Sequence, residues 1–301
     1  MFQRLSTPVV PAESIMNRAT LTTAYAAYLD MREREALVPE GNYLPYDFAF
    51  LNSRKWRNPL GFEMVAHELQ ELTNILNHWR GSLRRWDAWN RVLASYSDES
   101  TAWEVRREFL EPLAHECQLR PSSVRDTITS VATNALHQAR MSTDPSYRDL
   151  MEGDSKHPGQ NAYLSRAKKE KRLRGIASLW HEGIELYTAL LSMDCKAYKA
   201  ATFDYRNLSS HTIAPRLGIG VTRTVTRAVL PAYRMVEGPG GQFNEVAIPN
   251  KMSVWYVWGG TEPLNLSEAR AKNEEQFHQA TFCYGKYLAA LQAALTGMEP
   301  K

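Results

Sequence analysis

From Phe62 to Leu93 the apolar residues recur three and four positions apart: Phe62, Val65, Leu69, Leu72, Leu76, Trp79, Leu83, Trp86 and Leu93. That spacing lays them along one stripe of a long helix, a seam for a bundle core, which Asn90 interrupts. Asn17 to Leu37, rich in Ala, Leu and charged residues, predicts an earlier helix, ended by Pro39, Gly41 and Pro45. Trp103 to Leu119 predicts a third, with Phe109, Leu113 and Cys117 on one side and Pro112 expected to kink or divide it. Pro121 suits the first turn of a further helix to about Arg140, with Val124, Ile128, Val131 and Ala135 inward.

The stretch Ser142 to Gln160 is polar, holds two prolines and two glycines, and reads as a loop or linker. Beyond it, Ile176, Trp180, Ile184, Tyr187 and Leu191 predict one face of a single helix. Another helix is expected after Asp194, running through Arg206–His211 toward Pro215. The texture then changes. Ala228 to Trp258 alternates apolar and polar residues around Gly238-Pro239-Gly240-Gly241, with Val246–Ile248 and Val254–Trp258 as strand candidates. A last helix is expected from Ser267 to about Leu295. The expected fold is all-α: a multi-helix bundle with a small hairpin insert of two or three strands at about 228–258. The expected organisation is a helical part at 1–141, a linker at 142–160 and a C-terminal part at 161–301 that carries the insert.

Hydrophobic residues make up 44% and charged residues 23%, an ordered globular composition rather than a disordered one. The formal net charge of +3 permits a nucleic-acid partner only if the charge is clustered. Cys117, Cys195 and Cys283 match neither a metal spacing nor a Cys-x-x-Cys motif and read as free thiols. No signal peptide is visible at the N-terminus and no stretch approaches a membrane span, so the expected address is the cytoplasm, with no membrane partner. No metal cluster or cofactor motif is visible, and Gly238–Gly241 lacks the Gly-Lys-Ser/Thr of a phosphate loop.

Arg206-Asn207-Leu208-Ser209-Ser210-His211 has the form R-N-x-x-x-H. It resembles the R-x(4–6)-H motif of the HEPN superfamily in the variant with a polar residue after the arginine. The specific part of the resemblance is these six residues, and the surrounding helices from about Phe62 to Leu295 are what it can cover. It implies a helical bundle and a metal-independent endoribonuclease of prokaryotic defence or toxin systems, acting on RNA as a homodimer. The chemistry suits the residues. When an RNA 2′-hydroxyl attacks the adjacent phosphate, a histidine can carry the proton. An arginine can hold the phosphate and stabilise its developing charge. Asn207 stacks four positions before His211 and would orient the histidine or the phosphate. The expected product carries a 2′,3′-cyclic phosphate. The looser R-x(4–6)-H pattern is also met by Arg174 and His181.

Other residues carry two readings each. Arg174, Ser178, His181 and Glu185 form a polar stripe that is either a solvated face or a support for the motif, with Glu185 or Glu182 orienting a histidine. The basic run Arg166, Lys168, Lys169, Lys171, Arg172 and Arg174 either binds an RNA backbone or is solvated. Tyr205 either stacks on a base or belongs to a core or interface. His67, His78, His115 and His137 stand alone at no ligand spacing. The alternative to an enzyme is a non-catalytic helical scaffold: an antitoxin, a regulatory subunit, or an inactive domain that binds RNA or a partner protein. A nucleotide-transferring enzyme would need a phosphate loop and an acidic metal pair that the sequence does not offer.

Overall fold

The structure is a computed structural model that describes residues 18–36, 43–154 and 164–298. The expected break at Pro39 and Gly41 and the end of the 142–160 loop lie outside the described residues. The chain is mainly helical, and it divides into two units: 1–202 with 266–301, and 203–265.

The first unit is a helical bundle. Its elements are α1 (Arg18–Ala36), α2 (Ala49–Asn52), α3 (Gly61–Ala94), α4 (Glu99–Val105), α5 (Glu111–Thr143), α6 (Arg166–Ala177), α7 (His181–Leu191), α8 (Lys196–Ala201) and α10 (Leu266–Thr296). The long helices α3, α5 and α10 pack on one another, and α7 lies on α10. The stripe read from the sequence becomes the core seam: Val65, Leu69, Leu72, Leu76, Trp79, Leu83 and Trp86 are all buried. Tyr28 of α1 stacks on Trp89 of α3 at 4.6 Å, and Trp89 stacks on Phe109 at 4.4 Å, which fastens α1 to the bundle.

Three helix boundaries differ from the sequence expectation. Pro121 lies inside α5 and does not begin a new helix. A proline removes the bond to the carbonyl four residues back, here Cys117, and that carbonyl instead accepts from Asn273 Nδ2 at 2.9 Å. The division falls earlier, where a π-helical turn over Arg106–Leu110 precedes Pro112. The expected continuous helix through Trp180 is broken at 178–180. Gly183 turns in so close that a Cβ there would stand 2.1 Å from the Ala177 carbonyl oxygen. The break resets the helical phase, so α7 buries Gly183, Leu186, Ala189 and Leu190, while Ile184 and Leu191 are exposed. Third, the helix after Asp194 stops at Ala201 and restarts at Tyr205, because Phe203 and Asp204 both adopt left-handed backbone conformations.

The second unit holds α9 (Tyr205–His211) and one antiparallel hairpin, β1 (Thr222–Glu237) and β2 (Phe243–Thr261). The hairpin is two-stranded and longer than the expected 228–258. The Thr-Arg-Thr-Val-Thr-Arg run at 222–227 continues the alternation that begins to show at Ala228. Gly240 and Gly241, with φ of 102° and 79°, make the turn. Val246–Ile248 and Val254–Trp258 belong to one strand, which bulges between the Tyr233–Ala247 and Pro231–Met252 pairs. Asn250 sits in that bulge with φ 57°.

Candidate active site

Helix α9 carries the motif in the last six of its seven residues. Its first turn follows two consecutive non-glycine residues with positive φ, Phe203 at 52° and Asp204 at 49°. Each such residue costs on the order of 1–3 kcal/mol, and a bulky aromatic there is a genuine outlier. Asp204 caps with its backbone only: its carbonyl accepts from the N–H groups of Asn207 and Leu208, both at 3.0 Å. Ser209 and Ser210 donate their hydroxyls to the Arg206 carbonyl at 3.0 Å. The helix ends on His211, where the Thr212 N–H returns to the Leu208 carbonyl, four residues ahead of the proline expected to stop it.

Arg206, Asn207 and His211 are all exposed. Among the described residues, none of their side chains is engaged by a hydrogen bond or ion pair. Asn207 and His211 are one turn apart on the same face, with Cβ atoms about 5–6 Å apart, and Arg206 adjoins that face. Such a group can meet a phosphate with a forked cation, an amide and an imidazole at once. Tyr205 is buried, which removes it as a stacking surface for a base.

The segment after α9 is tied to the base of the hairpin. The Arg216 N–H donates to Thr222 Oγ1 at 2.8 Å. Leu217 bridges Leu264, the Gly218 N–H donates to the Leu264 carbonyl at 2.9 Å, and the Leu264 N–H donates to the Arg216 carbonyl at 2.8 Å.

The supporting residues read from the sequence belong to the first unit. Glu185 Oε1 lies 3.5 Å from Nε2 of His181, one turn back on α7. Its other oxygen accepts from Lys286 Nζ at 2.7 Å, and the ammonium holds the Glu185 carboxyl below the usual carboxylate range. Arg174 sits over the Tyr187 ring at 6.0 Å. Within the basic run, Arg166 is committed to Asp126 and Asp194, both at 2.7 Å. Lys171 pairs with Glu152, and Arg172 with Asp154 at 3.1 Å. Lys171 and Arg172 line an open cleft with Arg140, Tyr147 and Glu152. Lys168 is exposed, Lys169 is half-buried, and neither has a carboxylate partner among the described residues.

Histidines read as solitary have partners. His137 is buried between the Tyr147 hydroxyl at 2.9 Å and Asp149 Oδ1 at 2.7 Å, and His78 meets Glu116 at 3.0 Å. Both partners of His137 come from the polar loop after α5, and no periodicity could have paired them. All three cysteines are free, and burial pushes the Cys117 and Cys283 thiols up to about 12, so neither is a nucleophile near neutrality. Among the described residues, no three His, Cys, Asp or Glu side chains gather as a metal site, and no helix is long and apolar enough to cross a membrane.

Comparison with known proteins adds no further constraint: no family model, curated protein or solved structure matches the chain.

Proposed function

We propose that the chain is a metal-independent endoribonuclease of HEPN type, with Arg206 and His211 as its catalytic residues and Asn207 positioning the histidine or the phosphate. The observation that carries this reading is the state of the motif. An arginine, an amide and a histidine stand exposed, without side-chain partners among the described residues, on one short helix that follows two residues of strained backbone. Strained backbone residues cluster at functional sites, and polar groups without structural partners are available to a ligand. A buried, fully hydrogen-bonded His211 would have favoured the scaffold alternative, and His211 is exposed.

In the reaction, an imidazole takes the proton of the RNA 2′-hydroxyl and O2′ bonds to phosphorus. The P–O5′ bond breaks, and the leaving 5′-oxygen receives a proton. The products are a 2′,3′-cyclic phosphate and a free 5′-hydroxyl. Arg206 neutralises the charge gathering on the non-bridging oxygens. Proton removal and proton delivery occur on opposite sides of phosphorus, which one imidazole cannot serve in a single step. Two copies supply two, so the working form is a homodimer with both motifs in one groove.

The test is cleavage of an unstructured RNA with a chelator present. Wild type is expected to cut and leave cyclic-phosphate ends, while Arg206→Ala and His211→Ala each lose about 10²-fold or more. Equal activity in all three proteins would refute the assignment. Light scattering at micromolar concentration is expected to give twice the chain mass.

A further inference from the structure

The hairpin is an unusual surface. A two-stranded ribbon has no core of its own and is only marginally stable unless something covers it. Register and alternation put Arg223, Val225, Arg227 and Val229 of β1 on one face with Met252, Val254, Tyr256 and Trp258 of β2. Directly across the strands, Val225 faces Trp258 and Arg227 faces Tyr256. Trp258 is 81% exposed and Tyr256 65%. Among the described residues, neither ring stacks on another ring or on a cation. The opposite face differs. Its Trp255 is held by a bond from Nε1 to the Ser253 hydroxyl at 2.6 Å and by an edge-on contact with Tyr233, on a face that also carries Thr224, Thr226, Leu230 and Val257.

Charge separates the possible occupants. Tyr205 to Val236 contains Arg206, Arg216, Arg223, Arg227 and Arg234 and no Asp or Glu, and Val246 to Thr261 contains Lys251 and no Asp or Glu. The hairpin's carboxylates, Glu237 and Glu245, lie at the turn end. A ribbon that dips into a lipid surface would not carry its acids at the tip. A second copy meeting the same face would bring arginines against arginines with no acid between them. Strand addition along either edge would meet Pro231 or the Pro249 bulge. A polyanion with exposed flat rings fits the face on every count. Arginines grip phosphates, and indole and phenol rings take bases. Tyr256 and Trp258 are two residues apart on one strand, about 6.7 Å, a spacing at which successive splayed bases can each find a ring. A duplex keeps its bases stacked inside and offers none to such a face.

We infer that the Arg223–Arg227–Tyr256–Trp258 face is a sequence-tolerant platform for unpaired RNA. Building on the ribonuclease reading, it captures the strand cut at Arg206 and His211. Motif and platform lie in the same unit, joined through the Arg216–Thr222 and Leu217–Leu264 contacts.

The test uses the full chain. Binding is read by anisotropy of a fluorescein-labelled 20-residue oligouridine on His211→Ala protein, which avoids cleavage, and activity is read on otherwise wild-type protein. Trp258→Ala and Tyr256→Ala are each expected to weaken binding about tenfold and together about a hundredfold. Trp258→Phe is expected to keep most of the affinity. Arg223→Gln with Arg227→Gln lowers the dependence of log affinity on log salt by about 1.4, the slope of two phosphate contacts to a single strand. Cleavage by the ring variants is expected to show a raised KM with kcat held within about twofold. Double-stranded RNA is expected to compete poorly. These side chains are exposed, so an unchanged circular dichroism melt accompanies each variant.

Unaltered binding and KM in the double ring variant would overturn the platform and leave the ribonuclease reading standing. Strong binding through the rings with no cleavage by wild type would do the reverse. Tighter binding to phosphatidylglycerol vesicles than to RNA, or a drop from dimer to monomer mass in Trp258→Ala, would give the face to a membrane or to a second copy and end the proposal.

Discussion

Asn273 Nδ2 donates to the Cys117 carbonyl at 2.9 Å, across 156 positions of sequence, and so replaces the backbone bond that Pro121 removes from α5. The same fully buried amide accepts from Trp79 Nε1 at 2.8 Å, and its Nδ2 also reaches the Tyr198 hydroxyl at 3.2 Å, which in turn donates to Gln118. Four parts of the bundle, α3, α5, α8 and α10, meet through one side chain.

Asn273→Leu leaves the Trp79 indole N–H and the Cys117 carbonyl buried without partners, at about 1–3 kcal/mol each. Urea denaturation is expected to show a total loss of roughly 3–5 kcal/mol. Pro121→Ala restores an N–H to the Cys117 carbonyl, so the same substitution costs about 1 kcal/mol less in that background. Additive losses would refute the coupling.

Arg206 separates charge from shape. Arg206→Lys keeps the cation but loses the planar fork, so cleavage is expected to fall about tenfold or more, between wild type and Arg206→Ala. The melting temperature stays unchanged because the side chain has no structural partner among the described residues. Full activity in the lysine variant would refute a forked phosphate contact.

Glu68 carries a pH signature. Burial pushes its carboxyl above the ordinary value near 4.5, partly offset by the bond from Asn134, and its Oε2 is buried with no hydrogen-bond partner among the described residues. A carboxyl raised in the folded state opposes folding once it must ionise. Its cost is absent below the ordinary value, grows as pH rises through the folded value, and stays above it. Glu68→Gln is therefore expected to raise the melting temperature at neutral pH and to have little effect near pH 4. An equal shift at both pH values would contradict this.

Arg166 staples the turn between α7 and α8. It pairs with Asp126 through two nitrogens, at 2.7 and 2.9 Å, and with the buried Asp194 at 2.7 Å. Arg166→Met leaves Lys199, at 3.5 Å, as the remaining cation paired with Asp194 among the described residues. Because Arg166 is itself partly exposed, the loss is expected at about 2 kcal/mol, below the ~3–5 kcal/mol of a fully buried pair. Lysine at 166 should recover less than half, since it cannot fork. Denaturation midpoints read both.

Asp204 tests the strain ahead of α9. Its side chain makes no cap bond, and its φ of 49° suits glycine. Asp204→Gly is expected to stabilise by up to about 1 kcal/mol and Asp204→Val to destabilise by about 1–2 kcal/mol. Tryptophan fluorescence during denaturation follows the change.

The long amphipathic stripes were legible because a bundle seam repeats every three to four residues, and α3 follows its pattern almost residue for residue. Boundaries were less so where a distant group reverses a local rule. Pro121 reads as a helix start until Asn273 supplies the missing bond. The break before α7 depends on Gly183 meeting the Ala177 carbonyl, which no periodicity encodes. The motif stood out through Asn207 following Arg206, but its seven-residue helix and strained first turn did not. Trp258 and Tyr256 were legible as strand residues, yet their exposure follows from a ribbon with no third strand, a property of topology rather than of pattern.

Residues 203–265 form one uninterrupted stretch, whereas the helical body is interrupted at Thr202 and resumes at Leu266. In genetic terms the arginine–histidine pair and the aromatic ribbon are a single cassette. A rearrangement that transfers one transfers the other, and the seam residues of α3, α5 and α10 all lie outside it. On the proposed reading, the choice of strand can diversify by exchange within that cassette while the bundle's core stays untouched.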